Sequence, residues 1–426
     1  MYVSQIAPPG IGRGIFHSFR FQFLFVLLCG VVLPAIITLG IPDIFALSRD
    51  IVVFSIASAS IAATASIYVL RRLGHYPGTP VVQYILPTVA ILYGTVFSVI
   101  AILRLDHSNS ILGLSMLGTL AGHYMIATIN NRGPQRTYLV VPGGKVDLVR
   151  TLPALIFDTL SKPELPQTRN AGFIADLHHD HEPEWERLLA EAALSGKPVY
   201  HYKQIWEAGT GQVQIEHLSE NSFGSLIPSL AYGKVKRVTD LILCVLLLPV
   251  ILPVMVAAGI AIKLDSKGPI CFRQARMGFR GKIFRVCKFR TMEVTHNGED
   301  RDSSQTKPGD KRITKIGRFL RKTRIDELPQ IWNILLGQMS WIGPRPEAIS
   351  LSEWYEQELP FYRYRHIVRP GISGWAQVNQ GHVTTLGEAD HKLQFDFYYI
   401  KNISYWLDIL IFFKTLRVVI TGFGAK

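Results

Sequence analysis

Charge is scarce in this sequence. Asp, Glu, Lys and Arg make up 18% of its 426 residues, against 48% hydrophobic ones. A disordered chain needs the opposite balance and is excluded, and an ordinary soluble enzyme rarely carries so little charge. Cysteine is almost absent. Cys29, Cys244, Cys271 and Cys287 show no CxxC spacing, so neither a disulfide framework nor a zinc ribbon is implied. Three of them lie in or beside apolar runs and read as small buried hydrophobes. Neither GxGxxG nor GxxxxGK[ST] occurs, and no known nucleic-acid-binding motif does.

Charge of one sign is also missing where it would balance the other. Residues 1–231 hold 15 basic and 15 acidic residues, whereas residues 232–426 hold 30 and 17 and so carry the whole net charge of +13. Within residues 273–324 the imbalance is steeper, 16 basic against 5 acidic. The last 195 residues therefore call for an anionic partner: a membrane surface, a phosphorylated substrate or, less readily in a membrane-tethered chain, a nucleic acid.

Four long runs contain no Asp, Glu, Lys or Arg: Phe21–Ile41, Ile51–Leu70, Val81–Leu103 and Ser110–Ile129. Each has about the 20 residues that cross a bilayer core as a helix. The first is too long for the apolar part of a signal peptide, and no small-residue cleavage site follows it. The spacing predicts four transmembrane helices, 21–41, 51–70, 81–103 and 110–129, within residues 1–132. His123 in the fourth reads as a hydrogen-bonded packing residue. Arg13, Arg20, Arg71, Arg72, Arg132 and Arg136 flank one side of these runs, and the other side has only Arg49 and Arg104, close to Asp43, Asp50 and Asp106. The excess of basic residues predicts a cytoplasmic N-terminus and a cytoplasmic side for everything after the fourth helix.

A fifth uncharged run, Leu241–Ile262, conflicts with that polarity. It has Lys234, Lys236 and Arg237 before it, Lys263 and Lys267 after it, and Pro249 and Pro253 inside it. A full crossing would export the basic region. Proline removes a helical hydrogen bond and bends the chain, so the expected solution is a re-entrant helix over 241–262 that returns to its starting face.

Residues 133–231 read as a small Rossmann-like α/β cytoplasmic domain with a partly parallel sheet. Strands are expected at Tyr138–Val141, Gly172–Ala175, Pro198–Tyr200 and Val213–Ile215, a turn at Pro142-Gly143-Gly144, and an amphipathic helix over Pro183–Leu194. His178, His179, Asp180, His181 and Glu182 suggest a metal cluster, but neighbours in a chain cannot all face one ion, so the expectation is a solvated loop.

Residues 232–426 are dense in groups that suit phosphate: Arg273, Gln274, Arg276, Arg280 and Lys282, then Lys288 and Arg290, then Arg318, Arg321, Lys322 and Arg324. Arginine donates in a planar fork and lysine supplies a compact charge. In this positive field sits the pair Asp326-Glu327. One carboxylate could attack phosphorus while the other holds Mg²⁺, a division that phosphoryl transfer requires. Pro329 fits the first turn of a helix beginning near the pair, with its positive end beside the carboxylates. Arg345 and Arg369 each stand in a proline-stiffened turn, Gly343-Pro-Arg-Pro346 and Val368-Arg-Pro-Gly371. His366 reads as structural. Ile403–Ile420 reads as an interfacial amphipathic helix, with a core helix as the other reading.

Seven stretches of residues 232–426 occur in an order that resembles the bacterial sugar transferase family, the polyprenyl-phosphate hexose-1-phosphate transferases. They are Lys-Arg-Val-Thr-Asp240, Gly-Pro-Ile-Cys-Phe-Arg-Gln274, Lys-Phe-Arg-Thr-Met292, Asp-Glu-Leu-Pro-Gln330, Gly-Pro-Arg-Pro346, Arg-Pro-Gly-Ile-Ser-Gly374 and Asp-Phe-Tyr-Tyr399. The resemblance implies a monotopic α/β catalytic domain. Its activity would be Mg²⁺-dependent transfer of a sugar phosphate from a UDP-sugar to undecaprenyl phosphate, with release of UMP. Asp326 would be the nucleophile and Glu327 the metal-associated carboxylate. Arg321, Arg345 and Arg369 would bind phosphates, supported by Lys288 and Arg290, with Gln274 and Arg276 in the same basic surface. The resemblance also implies the bacterial inner membrane as location, contact with membrane lipid, a possible homodimer, and a role in starting exopolysaccharide, capsule or O-antigen synthesis. The family's re-entrant break is Ser-Pro, and here that place holds Leu252-Pro253. A catalytically inactive membrane scaffold is the alternative of a different class.

Overall fold

A computed structural model of the chain describes residues 18–40, 50–77, 79–131, 137–152, 155–166, 171–215, 230–293, 312–381, 383 and 385–421. The chain divides into two compact units, Met1–Gly211 and Gln212–Lys426.

Four apolar helices open the first unit: α1 (Phe19–Leu39), α2 (Asp50–Leu73), α3 (Val82–Leu103) and α4 (Asn109–Asn131). All are long and apolar enough to cross a membrane, and only a helix satisfies its own backbone there. The helices pack on one another through small residues. A Cβ on Gly118 would lie 2.0 Å from the Cys29 carbonyl oxygen, and one on Gly30 would lie 2.2 Å from Thr119 Oγ1, so α1 and α4 meet backbone to backbone. α1 contains one π-helical turn, Leu28–Val32, just before Pro34, where an amide hydrogen is missing. Polar side chains bond between helices: Tyr93 Oη lies 3.0 Å from Ser115 Oγ and 2.9 Å from Thr119 Oγ1. His123 Nε2 lies 2.8 Å from Ser66 Oγ, a packing contact.

The rest of this unit is a four-stranded sheet of β1 (Thr137–Val140), β2 (Ile156–Thr159), β3 (Gly172–Ala175) and β4 (Val199–His201). Its order is β2-β1-β3-β4 and every pairing is parallel, not partly so. Alternation along β1 feeds two cores. Tyr138 and Val140 pack on one face with Ile205 of α6 (Tyr202–Thr210), and Leu139 packs on the other with Leu188 of α5 (Pro183–Leu194). Val213–Ile215, expected as a strand, lies outside the sheet, because the Val213 amide bonds instead to the Gln394 carbonyl. Strand β2 was not expected. Its residues are mostly exposed, which removes the alternation that marks a strand.

The second unit begins with α7 (Leu230–Asp265), one helix of 36 residues. It runs without interruption through Pro249 and Pro253, the places where the sequence suggests the re-entrant break. Each proline removes a single hydrogen bond, which a helix accommodates by bending. Both ends of α7 are held within this unit. Near its start, Arg237 donates to the carbonyls of Ile334 and Leu335. At its end, Arg290 donates to the Ser266 and Lys267 carbonyls, and Asp265 Oδ2 accepts from the Ile316 amide. Val245, Leu246, Val250, Leu252 and Val256, between those ends, are exposed.

An antiparallel hairpin follows, β5 (Cys271–Met277) with β6 (Ile283–Phe289). Helix α8 (Lys315–Thr323), a 3₁₀ turn (Ile325–Gln330) and the short α9 (Ile331–Leu335) come next. Strands β7 (Ser340–Ile342) and β8 (Gly371–Ser373) pair in parallel. Between them lie α10 (Ile349–Glu358) and a 3₁₀ turn (Tyr362–Ile367). Three helices follow β8: α11 (Trp375–Asn379), α12 (Leu386–Lys401) and α13 (Tyr405–Thr421). Helix α13 presents apolar side chains both to the core and outward. Leu407, Leu410 and Ile411 are buried, and Tyr405, Phe412, Leu416 and Val419 are exposed.

Candidate active site

Asp326 and Glu327 stand in the first turn of the 3₁₀ segment Ile325–Gln330, and Pro329 lies further along inside it, not in the first turn that the sequence suggested. The helix expected to begin near the pair therefore starts as a 3₁₀ turn and becomes α-helical at Ile331. Helix α8 stops just before the pair because Arg324 takes a left-handed backbone, φ +59°. That conformation costs an ordinary residue about 1 kcal/mol, and here it turns Arg324 Nη1 to within 3.7 Å of Glu327 Oε1.

Both carboxylates are buried, at 8% and 5% exposure. Glu327 Oε1 also accepts from Lys288 Nζ at 3.0 Å and from Arg345 Nη2 at 2.9 Å. Three cations on one buried carboxylate hold it ionised, far below the usual range, even though burial alone would raise it. Asp326 differs. Its Oδ1 is buried with no hydrogen-bond partner among the described residues. Burial and the neighbouring Glu327 raise its pKa, opposed by Lys288, Arg324 and Arg345. The pair thus consists of one fixed anion and one carboxylate with an unbonded oxygen, under the influence of Lys288, Arg324 and Arg345.

The supports of this pocket are specific. Lys288 rides on β6, and Asn333 ties β6 to the segment after the dyad: its Oδ1 accepts from the Cys287 amide and its Nδ2 donates to the Arg285 carbonyl. Arg345 is held by its loop. Gly343 N–H donates to Ser373 O, and Gly371 N–H to Pro344 O. These backbones cross so closely that a Cβ on Gly371 would lie 2.1 Å from Gly343 N, and one on Gly374 would lie 2.2 Å from Gly343 O. Arg276 Nη1 donates to the Pro346 carbonyl at 3.1 Å and Arg365 Nη2 to the Arg345 carbonyl at 2.9 Å. Arg365 is itself fixed by Asp396 (2.8 Å) and the Tyr362 hydroxyl (2.6 Å), with both charged side chains no more than 3% exposed.

Not every expected phosphate ligand converges here. Lys288 and Arg345 reach Glu327, and Arg276 and Gln274 sit together behind the Arg345 loop, 2.6 Å apart. Arg290 clamps the end of α7. Arg321 donates from Nε to Thr291 Oγ1. Arg369 donates to the Gly337 carbonyl and lies over the Phe279 ring. None of these three bonds to either carboxylate. His366 is buried, and burial with Arg365 and Arg363 pushes it down to about 3. It stays neutral and has no proton to give near pH 7. Sequence reasoning missed Arg324 as a partner of Glu327, missed Asn333 and Arg365 altogether, and gave Asp396 no role. Only the Asp396 of the Asp-Phe-Tyr-Tyr399 stretch left a signal.

Mg²⁺ takes one or two carboxylates and completes its shell with water and phosphate oxygens. The free Asp326 Oδ1 and the second oxygen of Glu327, which no described residue bonds, suit that demand. The arrangement can bind a diphosphate on Arg345, Lys288 and Arg324 and present a carboxylate oxygen to it.

The bacterial sugar transferase profile matches residues 231–422. An Aeromonas hydrophila UDP-N-acetylgalactosamine-undecaprenyl-phosphate N-acetylgalactosaminephosphotransferase is 43% identical over 373 residues, 87% of this chain and 88% of that one. The chain belongs to the bacterial sugar transferase family. Another member, the Escherichia coli UDP-glucose:undecaprenyl-phosphate glucose-1-phosphate transferase, is 46% identical over 193 residues, 45% of this chain and 40% of that protein. A Caulobacter vibrioides UDP-glucose:undecaprenyl-phosphate glucose-1-phosphate transferase is 39% identical over 47% of this chain and 76% of its own length. The family match thus falls on the unit that holds the dyad, and the Aeromonas relative extends it over the apolar helices as well.

Proposed function

We propose that this protein transfers a sugar 1-phosphate from a UDP-sugar to undecaprenyl phosphate, leaving UMP and the undecaprenyl-diphospho-sugar that begins a surface polysaccharide. The observation that carries the reading is the asymmetry of the dyad: Glu327 is locked to three cations, and Asp326 Oδ1 is buried and unpaired. In the first half-reaction Asp326 attacks the sugar-proximal phosphorus. The phosphorus–oxygen bond to the UMP group breaks, and UMP leaves with the electron pair. In the second, an oxygen of undecaprenyl phosphate attacks the same phosphorus and the Asp326 carboxylate departs. No net proton is exchanged. Arg345, Lys288 and Arg324 offset the charge that spreads over the phosphoryl oxygens, the main demand of this transition state. Mg²⁺ held by Glu327 and Asp326 would supply further neutralisation of the diphosphate.

The acceptor phosphate lies at headgroup level and the donor is water-soluble, so the site belongs at the membrane boundary on the cytoplasmic side of a bacterial inner membrane. The two-ended anchoring of α7 and the exposed apolar residues around Pro249 and Pro253 support a helix that dips into one leaflet and returns. The exposed apolar residues of α13, Tyr405, Phe412, Leu416 and Val419, suit the same interface. The inactive-scaffold alternative gains nothing, because the dyad and its cations are complete. Membranes bearing the protein, given a panel of radiolabelled UDP-hexoses and UDP-N-acetylhexosamines, should form one lipid-linked product, with none from Asp326→Asn. A normal rate in Asp326→Asn removes the nucleophile assignment. No product with any donor removes the activity.

A further inference from the structure

The ends of β3 and β4 carry a second cluster of chemistry-bearing side chains in the first unit. Asp176 directly follows β3, His178 lies in the next turn, and His201 ends β4. One ligand atom from each lies within 4.8 Å of the others. His201 Nε2 is 2.7 Å from His178 Nδ1 and 3.7 Å from Asp176 Oδ1. His201 Nδ1 accepts the Lys203 amide hydrogen, so Nε2 carries the ring proton and His178 Nδ1 turns a lone pair toward it. The carboxylate is preset by two backbone amides: Oδ2 accepts from Lys145 and Oδ1 from His178. Gly144, at φ +64°, lets the loop after β1 close over it, since a Cβ there would lie 2.3 Å from Asp176 Oδ2. The His201 and Asp176 side chains are 11% and 10% exposed, and His178 is exposed, which leaves a way in. Parallel sheets of this kind receive ligands outside the carboxyl ends of their strands.

We infer that Asp176, His178 and His201 bind one divalent first-row transition-metal ion of the zinc class, with a fourth position open to solvent. Two imidazoles and one carboxylate are the donor set such ions take, whereas Mg²⁺ prefers oxygen alone. Ligand bonds of about 2.0–2.1 Å in tetrahedral geometry set nitrogens about 3.3 Å apart. The two rings therefore part by about 0.6 Å, which the exposed His178 turn permits. Binding moves the His201 proton from Nε2 to Nδ1, so the Lys203 amide gives up its acceptor and turns to water. This site is independent of the phosphotransfer reading.

The test uses the full chain in detergent, stripped by chelator and then freed of it. Equilibrium dialysis against Zn²⁺, with metal counted by mass spectrometry, should saturate at one ion per chain. Co²⁺ in its place should give visible d–d absorption of a low-coordinate N/O site. His178→Ala, at an exposed position, should weaken binding about tenfold or more, and His201→Gln should do the same. Asp326→Asn should leave stoichiometry unchanged. Absence of saturable binding overturns the inference. So does binding that survives both histidine substitutions, or binding lost in Asp326→Asn and kept in His178→Ala, which would assign the ion to the catalytic dyad.

Discussion

Asp326 and Glu327 are neighbours in the chain with opposite electrostatics, and the difference lies in which oxygen meets which cation. Lys288 and Arg345 bond to Glu327 and only act on Asp326 through space. The raised Asp326 pKa places the acid limb of kcat/KM above the ordinary aspartate value of about 3.9, because only the ionised carboxylate attacks. Lys288 lowers that pKa, so Lys288→Met should move the limb to higher pH as well as reduce the rate. UMP release measured from about pH 4.5 to 8 checks this, and a limb that stays in place would mean another group sets it. Glu327→Gln should cut the rate by a factor of about 10²–10³, comparable to removing one transition-state electrostatic partner, and shift the Mg²⁺ requirement. An unchanged Mg²⁺ titration would take Glu327 out of the metal site. The carboxylates and their basic surroundings were legible in the sequence as charges. The cap role of Arg324 was not, since a left-handed backbone on a residue other than glycine leaves no mark in composition. The helix-clamping role of Arg290 was also hidden, because its partners are carbonyls and every residue offers one.

At the scale of elements, the Arg345 loop is held by two devices with different sensitivities. One is steric, the crossing of Gly343, Gly371 and Gly374, where any side chain meets backbone. The other is electrostatic, the buried Arg365–Asp396 pair across 31 positions of sequence. Removing one partner of such a pair leaves an uncompensated buried charge, which costs about 3–5 kcal/mol. Asp396→Leu should therefore lower the thermal midpoint sharply, and Arg365→Met with Asp396→Leu should recover much of the loss. The double variant should still turn over slowly, because the Arg345 carbonyl has lost its donor. If it is as unstable as the single variant, the pair is not the cause. Patterns of period two and 3.6 showed β1, β3, β4 and α5 from sequence, since each buries a face. They missed β2, an exposed edge, and misplaced Val213–Ile215, whose amide bonds to α12 instead of to a strand. The site's long-range pairings follow no period and came only with the fold.

For the whole molecule, the open question of geometry is how α7 treats the bilayer, and its ends answer it in a testable way. A straight helix of 36 residues is about 54 Å long, enough to cross the hydrocarbon core of about 30 Å. Yet Arg237 near one end and Asp265 at the other both bond to elements of the same unit, one to the α9 carbonyls and one to the start of α8. If α7 crossed, one of these contacts would lie on the opposite face from the other, with the positive charge of the unit divided across the membrane. The proposed bend at Pro249 and Pro253 would keep both contacts and the basic surface on one side, and would expose the apolar residues only to lipid. In a background with Cys29, Cys244, Cys271 and Cys287 replaced, Lys234→Cys and Lys267→Cys stand at exposed positions before and after the apolar stretch. A membrane-impermeant maleimide should leave both unlabelled in intact spheroplasts and label both after permeabilisation, while Asp106→Cys, between α3 and α4, should label without it. Labelling of Lys267→Cys alone in intact spheroplasts would make α7 a fifth crossing. It would also remove the dyad from the side where UDP-sugars are found, since Asp326 follows Lys267 in the chain and no further apolar span among the described residues lies between them.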